Sequence, residues 1–186
     1  EPYASDFEDY INNTNDIEAI RAFASFIEDA IEVFVDYDKA KAAVEALLTD
    51  EDLTQEKIDA AKDLVEAIVY EGEGYHAEVL EGLVGVLKSE LETKIDLAQE
   101  MFDEAEELSK AKEAASNIAA AFGEGKTIED FKTAFEDNAS DFGINLEVYN
   151  DLGEDQKISG LTILKDQLEP YASDFEDYIN NTNDIE

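Results

Sequence analysis

Apolar residues recur along this chain in steps of three and four, the period of a helix with one buried face. No segment alternates with the period of two that marks a strand. Residues 3–12 carry Tyr3, Phe7, Tyr10 and Ile11 at i, i+4, i+7 and i+8, which predicts a short amphipathic helix behind Pro2. Asn15 is the expected N-cap of the next helix, with Glu18 three residues on to complete a capping box. Its expected buried face is Ile20, Phe23, Ile27, Ala30, Ile31 and Phe34, and it can run on, bending near Asp36, into DKAKAAVEALL. The stretch TDEDLTQEK then reads as a turn and a new start. Thr54 is the expected cap, and Leu53 and Ile58 hold the hydrophobic-staple positions. The stripe Ile58, Ala61, Leu64, Val65 and Ile68 follows, ended by Gly72 and Gly74.

The longest helical signal runs from about Tyr75 to Phe122. Leu80, Val84, Leu87, Leu91, Ala98, Met101, Ala105, Leu108, Ala115, Ala119 and Phe122 follow a grid of alternating four- and three-residue steps, with Lys94 and Lys112 at its two non-apolar positions. Gly82 and Gly85 weaken its first turns by about 1 kcal/mol each relative to Ala. Unbroken, it would extend roughly 70 Å; a bend between Ser109 and Ser116 is the alternative. Its spacing favours antiparallel packing against the other helices over a free coiled coil. Beyond Gly123 and Gly125, Thr127 with Asp130 opens a short helix carrying Phe131, Ala134 and Phe135. NASDFGINLEVYNDLGEDQ is the least regular stretch, and a last helix is expected from about Gln156 to Leu168. The fold class read from this pattern is all-α.

The first eighteen residues, EPYASDFEDYINNTNDIE, return letter for letter as residues 169–186, an offset of 168. Chance does not produce such a match, and it reads as one unit of a tandem array with both junctions present. The expected architecture is therefore an elongated helical-bundle repeat with one long central helix. Residues 1–18 would form the junction helix, 19–74 an N-terminal helical bundle, 75–168 the long helix with a C-terminal bundle, and 169–186 the start of the next repeat. Pro170 follows the helical run LTILKDQLE, which puts the boundary at a helix break or kink and not in a loose linker. The expected inter-repeat interface is Tyr3, Phe7, Tyr10 and Ile11 in one copy and Pro170, Tyr171, Phe175 and Tyr178 in the other. Since the stripe occurs twice, at least one copy should lack its neighbour.

Charge changes the list of partners more than it changes the fold. The chain has 49 acidic and 13 basic residues, a formal charge of −36, and Arg21 as its only arginine. Such a surface repels phosphate backbones and anionic lipid, so neither nucleic acid nor a membrane surface is an expected partner. No stretch reaches the 18 or so uninterrupted apolar residues of a membrane span. The hydrophobic fraction of 44%, periodically placed, argues for folding over acidic disorder. With no cysteine there is no disulfide, thiolate metal site or thiol nucleophile.

The candidate chemistry is sparse. Glu73 and His76 form an E-x-x-H at helical spacing, but a carboxylate-bridged di-metal bundle needs two such motifs and the chain has one histidine. The nearest EF-hand match starts at Asp137 and passes Asp141 and Gly143 to Glu147. Its glycine comes one place late, its glutamate one place early, and Ala139 fills a ligand position. Asp36 to Asp38 and Thr49 to Asp52 are further acidic turns at which weak calcium binding can be entertained. EGKT at 124–127 lacks the first glycine of a phosphate-binding loop, with Ala120 in its place, and no G-x-S-x-G occurs. No catalytic residue, cofactor or metal site is therefore assigned. N-x-[ST] triplets start at Asn12, Asn138 and Asn180.

AAVEALLTDEDLTQEKIDAAKDLVEAI, Ala42 to Ile68, is a spaced Ala/Leu helix, an acidic turn and then T-Q-x-x-[IV]-D-A-A-x-x-L-x-x-A-[IL]. It resembles the FIVAR helical modules of Gram-positive surface proteins. SDFEDYINNTNDIEAI, Ser5 to Ile20, resembles the albumin-binding GA modules. Together these resemblances imply a surface-anchored array that extends an adhesin or binds host proteins, with no catalytic residues. The functional expectation is a non-enzymatic spacer repeat of a large acidic extracellular or cell-surface protein, such as an adhesin stalk. Its partners would be neighbouring identical repeats, with a host or surface protein as a further candidate. A protein- or peptide-binding helical module is the alternative, and a calcium-responsive scaffold the third reading.

Overall fold

The computed structural model describes residues 4–70, 72, 75–123 and 125–182, and of residues 4–7, 10, 19, 75 and 76 the backbone alone. In chain order the helices are α1 (Ala4–Asn13), α2 (Ile17–Leu47), α3 (Gln55–Glu66), α4 (Tyr75–Ala120), α5 (Ile128–Asn138), α6 (Glu147–Asn150), α7 (Glu154–Leu168) and, after a 3-10 turn at Glu169–Tyr171, α8 (Ala172–Asn181). The described residues contain no strand, so the chain is all-α, and α4 is its long helix at 46 residues. The chain divides into two compact units, Glu1–Phe102 and Asp103–Glu186. α4 supplies side chains to a core in each unit.

In the first unit, Val33, Ala40, Val44 and Leu47 of α2 bury against Ile58, Ala61 and Val65 of α3, Ile68 beyond it, and Leu80, Val84, Leu91, Ile95 and Ala98 of α4. Thr54 caps α3 as expected, its hydroxyl accepting from the Lys57 amide at 3.4 Å. The cap of α2 is Asp16, one residue beyond Asn15; its carboxylate accepts from the Glu18 amide at 2.8 Å. The buried strip of α2 is also displaced from the expected one. Phe26, Ala30, Val33, Tyr37, Ala40, Val44 and Leu47 face the core, while Ile20, Ile27, Ile31 and Phe34 are exposed. Two apolar strips share this helix, and the longer one, which continues to Leu47, meets α3 and α4.

α3 ends at Glu66, well before Gly72. Lys88 Nζ donates to the carbonyl oxygens of Ile68 at 3.1 Å and Glu66 at 3.3 Å, placing a cation on the acceptors left free at the helix end. Along α4 the expected seven-residue step holds at Val84, Leu91 and Ala98, whereas Ile95 and Phe102 meet the core one position beyond the expected Lys94 and Met101. Met101 and Ala105, both on the expected grid, turn outward.

In the second unit Ile118 and Ala119 of α4, with Ala121 and Phe122 just past its end, meet Phe131 of α5 and Leu161 of α7. The ring centroids of Phe122 and Phe131 lie 4.8 Å apart. Thr127 and Asp130 form the expected capping box. The chain leaves α5 through a Schellman-type closure. Ile144 N–H donates to the Ala139 carbonyl at 2.7 Å, Gly143 N–H donates to that of Ser140 at 3.0 Å, and Gly143 adopts φ 81°. Gly143 thus serves a helix stop, a role that needs a left-handed residue and no cation. α6 is fastened by Tyr149, which packs edge-on to Phe135 with 5.1 Å between centroids and donates to Glu136 Oε1 at 2.7 Å. Lys157 Nζ sits 4.7 Å from the Tyr149 ring centre, and Lys132 pairs with Glu154. Burial first, then the bond to Glu136 and the charges of Glu136, Glu154 and Glu129, push the Tyr149 phenol above its ordinary value.

Candidate functional site

The repeated segment is the feature of this sequence that asks for a function, and its second copy has a defined seat. α7 leads into it through Leu161, buried in the C-terminal core, and Lys165, a buried cation. Lys165 Nζ donates to the Phe122 carbonyl just past the end of α4 at 3.4 Å and pairs with Glu169, the first residue of the repeat, at 3.6 Å. Pro170 lies inside the 3-10 turn, where a missing amide does least harm, and this turn is the break expected between two helices. α8 then lays Ala172, Phe175 and Ile179 against the core, continuing the face begun by Leu168. The rings of Phe175 and Phe122 are 6.0 Å apart between centroids.

The expected interface residues fall in different places. Phe175 is half-buried in this seat, whereas Pro170, Tyr171 at 55% and Tyr178 at 71% are exposed. In the first copy Ile11 is 40% exposed; Phe7 and Tyr10 lie on α1 with backbone alone described, and Tyr3 is outside the described residues. Ala172, Ile179, Leu168 and Lys165 belong to the seat as well and were not singled out from the sequence. The register Leu168, Ala172, Phe175, Ile179, in steps of four, three and four, was the available signal.

Beside the seat, Leu108, Ala111 and Ala115 of α4, Phe142 of the turn after α5, and Tyr178 and Ile179 of α8 line an open cleft of about 480 Å³. Its lining is mainly apolar and includes the charged Glu107, Lys112 and Asp141.

Of the two acidic stretches considered for calcium, Asp36 to Asp38 lies within the helix α2 and not in a turn, and each stretch holds a cation of its own. Asp36 pairs with Lys39 at 2.8 Å. Asp50 accepts from Lys57 Nζ at 2.7 Å and from the Asp52 amide at 3.0 Å; these two bonds, Lys57 first, hold its carboxyl below the usual range. Among the described residues no three acidic, histidine or cysteine side chains gather as metal ligands. Glu73 lies outside the described residues, as does the side chain of His76. Asn138 is tied at both ends of its amide, donating to the Ala134 carbonyl at 2.7 Å and accepting from Asn117 at 2.9 Å. No helix among the described residues is long and apolar enough to cross a membrane.

No family model matches this chain, and neither a curated protein nor a solved structure shows a significant likeness to it.

Proposed function

We propose that this chain is a non-enzymatic structural repeat, a spacer in a large acidic protein displayed outside the cell or on its surface, such as an adhesin stalk. One observation carries the reading: the duplicated segment is a helix seated in a core, with Phe175 against Phe122, and not a loose tail. A junction built this way joins identical elongated helical units through packed side chains, so stability is summed over units and their interfaces. The charge of −36 suits a concentrated, repetitive chain that must stay dispersed. Small-angle scattering on one, two and four linked units, with and without millimolar calcium, tests the proposal. Length should grow by a fixed increment per unit and ignore calcium. Independent tumbling of the units, or shortening with calcium, would sink it.

A binding module is the second reading, favoured by the apolar strip that α2 leaves exposed at Ile20, Ile27, Ile31 and Phe34. A helical or extended segment of a host or surface protein is the kind of partner that strip suits. Replacing Ile27 and Ile31 by Gln should abolish binding to cells bearing the partner while leaving the fold intact, as read by circular dichroism. Unchanged cell binding would remove this reading.

A further inference from the structure

We propose that α1 is a docking element for the C-terminal core of a second copy of this chain, taking there the seat that α8 takes at home. The same ten residues, ASDFEDYINN, are helical over their full length at Ala4–Asn13 and again at Ala172–Asn181. Even their local bonds agree: Asn13 Nδ2 donates to the Asp9 carbonyl at 2.7 Å, and Asn181 Nδ2 to that of Asp177 at 2.6 Å. α8 docks through Ala172, Phe175 and Ile179, and its positions correspond to Ala4, Phe7 and Ile11 of α1. One pair shows the difference in surroundings directly. Ile179 packs on the core, while its twin Ile11 is 40% exposed.

Affinity for a seat belongs to the helix and the seat, so the two copies carry the same intrinsic affinity. What separates them is tethering. α8 is held beside its seat at an effective concentration in the millimolar range, against which a free α1 at micromolar concentration loses. When the seat is vacated, α1 of another molecule fits it. Because donor helix and acceptor seat are different surfaces, such contacts run head to tail and need not close. The inference deepens the spacer reading and rests on it for its setting. In a linked array, α8 of one unit and α1 of the next are a single helix, and that helix docks backward onto the unit before it.

The full-length chain with Phe175→Ala and Ile179→Ala, titrated with a synthetic peptide of residues 1–18, tests this. Amide exchange around Phe131 and Leu161 should slow about tenfold at peptide ten times its dissociation constant. A peptide carrying Phe7→Asp and Ile11→Asp should leave exchange unchanged. Without peptide, the variant should self-associate with rising concentration in sedimentation, more strongly in about 0.5 M salt, where repulsion between the acidic chains is screened. Adding Phe7→Asp and Ile11→Asp to that same chain should return it to monomer. A variant whose C-terminal core has come apart still reports, because peptide binding then restores helicity and protection. A peptide that restores neither, or a variant that stays monomeric in high salt, overturns the proposal. Fixed increments in the linked-unit scattering beside a failed peptide rescue would leave the spacer reading standing and remove backward docking alone.

Discussion

Phe131 is fully buried, with the rings of Phe122 and Phe135 around it at 4.8 and 6.5 Å. Phe131→Ala should cost the second unit about 4 kcal/mol, the sum of lost transfer energy and an unfilled cavity. Urea unfolding followed by amide exchange in α5 and α7 would measure it. At the start of α5, Thr127→Ala should cost about 1 kcal/mol, the usual loss of a cap. Its partner Asp130 accepts from the Thr127 amide and hydroxyl, both at 2.8 Å, and these bonds, the amide first, hold its carboxyl below the ordinary value of 3.8. A carboxylate depressed by folding stabilises above its unfolded pKa, and that stabilisation is lost as pH falls through the folded one. Asp130→Asn should therefore be less stable than the parent at pH 7, with the gap closing below about pH 4; urea melts across that range would show whether it does. Gly143 adopts φ 81°, so Gly143→Ala should destabilise by about 1 kcal/mol in the same assay. The caps Thr54 and Thr127 could be read from sequence because a cap is a bond between near neighbours. The choice of Asp16 over Asn15 could not, since both side chains cap well and the phase of the following helix decides.

Helix existence was legible at the scale of the element, and helix facing was not. α2 illustrates why. Its strips through Ile20, Ile27, Ile31 and Phe34 and through Phe26, Ala30, Val33 and Tyr37 both satisfy a helical period, and position Val33 is one residue from Phe34. Only the neighbours α3 and α4 choose between them, and they choose the strip that continues through Ala40, Val44 and Leu47. Val33→Asn should accordingly cost about 3 kcal/mol, from lost packing and a buried amide without partners, whereas Ile31→Gln should stay within about 0.5 kcal/mol of the parent. Equal effects of the two in urea unfolding would mean that the facing is reversed. The same limit applied to α8. Its helix and the break at Pro170 were readable, but Phe175 and Ile179 were separated from Tyr171 and Tyr178 only by the core they meet. In α4 the grid slipped at Met101, where Phe102, one position beyond, meets the core.

The whole molecule is dominated by a charge of −36. Among the described residues, Lys39, Lys57, Lys94, Lys110, Lys132 and Lys165 each sit on a carboxylate. Most of the remaining carboxylates repel one another across the surface. Raising the salt concentration from about 0.01 to 0.15 M shortens the screening length from about 30 to 8 Å, and the thermal midpoint should rise with it. Divalent cations separate the spacer from the calcium-responsive scaffold. If the acidic stretches act only as a diffuse field, calcium and magnesium at equal concentration raise the midpoint by the same amount, since each screens by its charge. A built calcium site would instead discriminate, because calcium accepts six to eight oxygens in flexible geometry while magnesium demands an octahedron and keeps its water. Asp36 and Asp50 are already committed to Lys39 and Lys57, and the glycine of the EF-hand-like stretch is committed to a helix stop. Equal midpoints in paired calorimetric scans are therefore the expected result. An increment specific to calcium would move the scaffold reading ahead of the spacer.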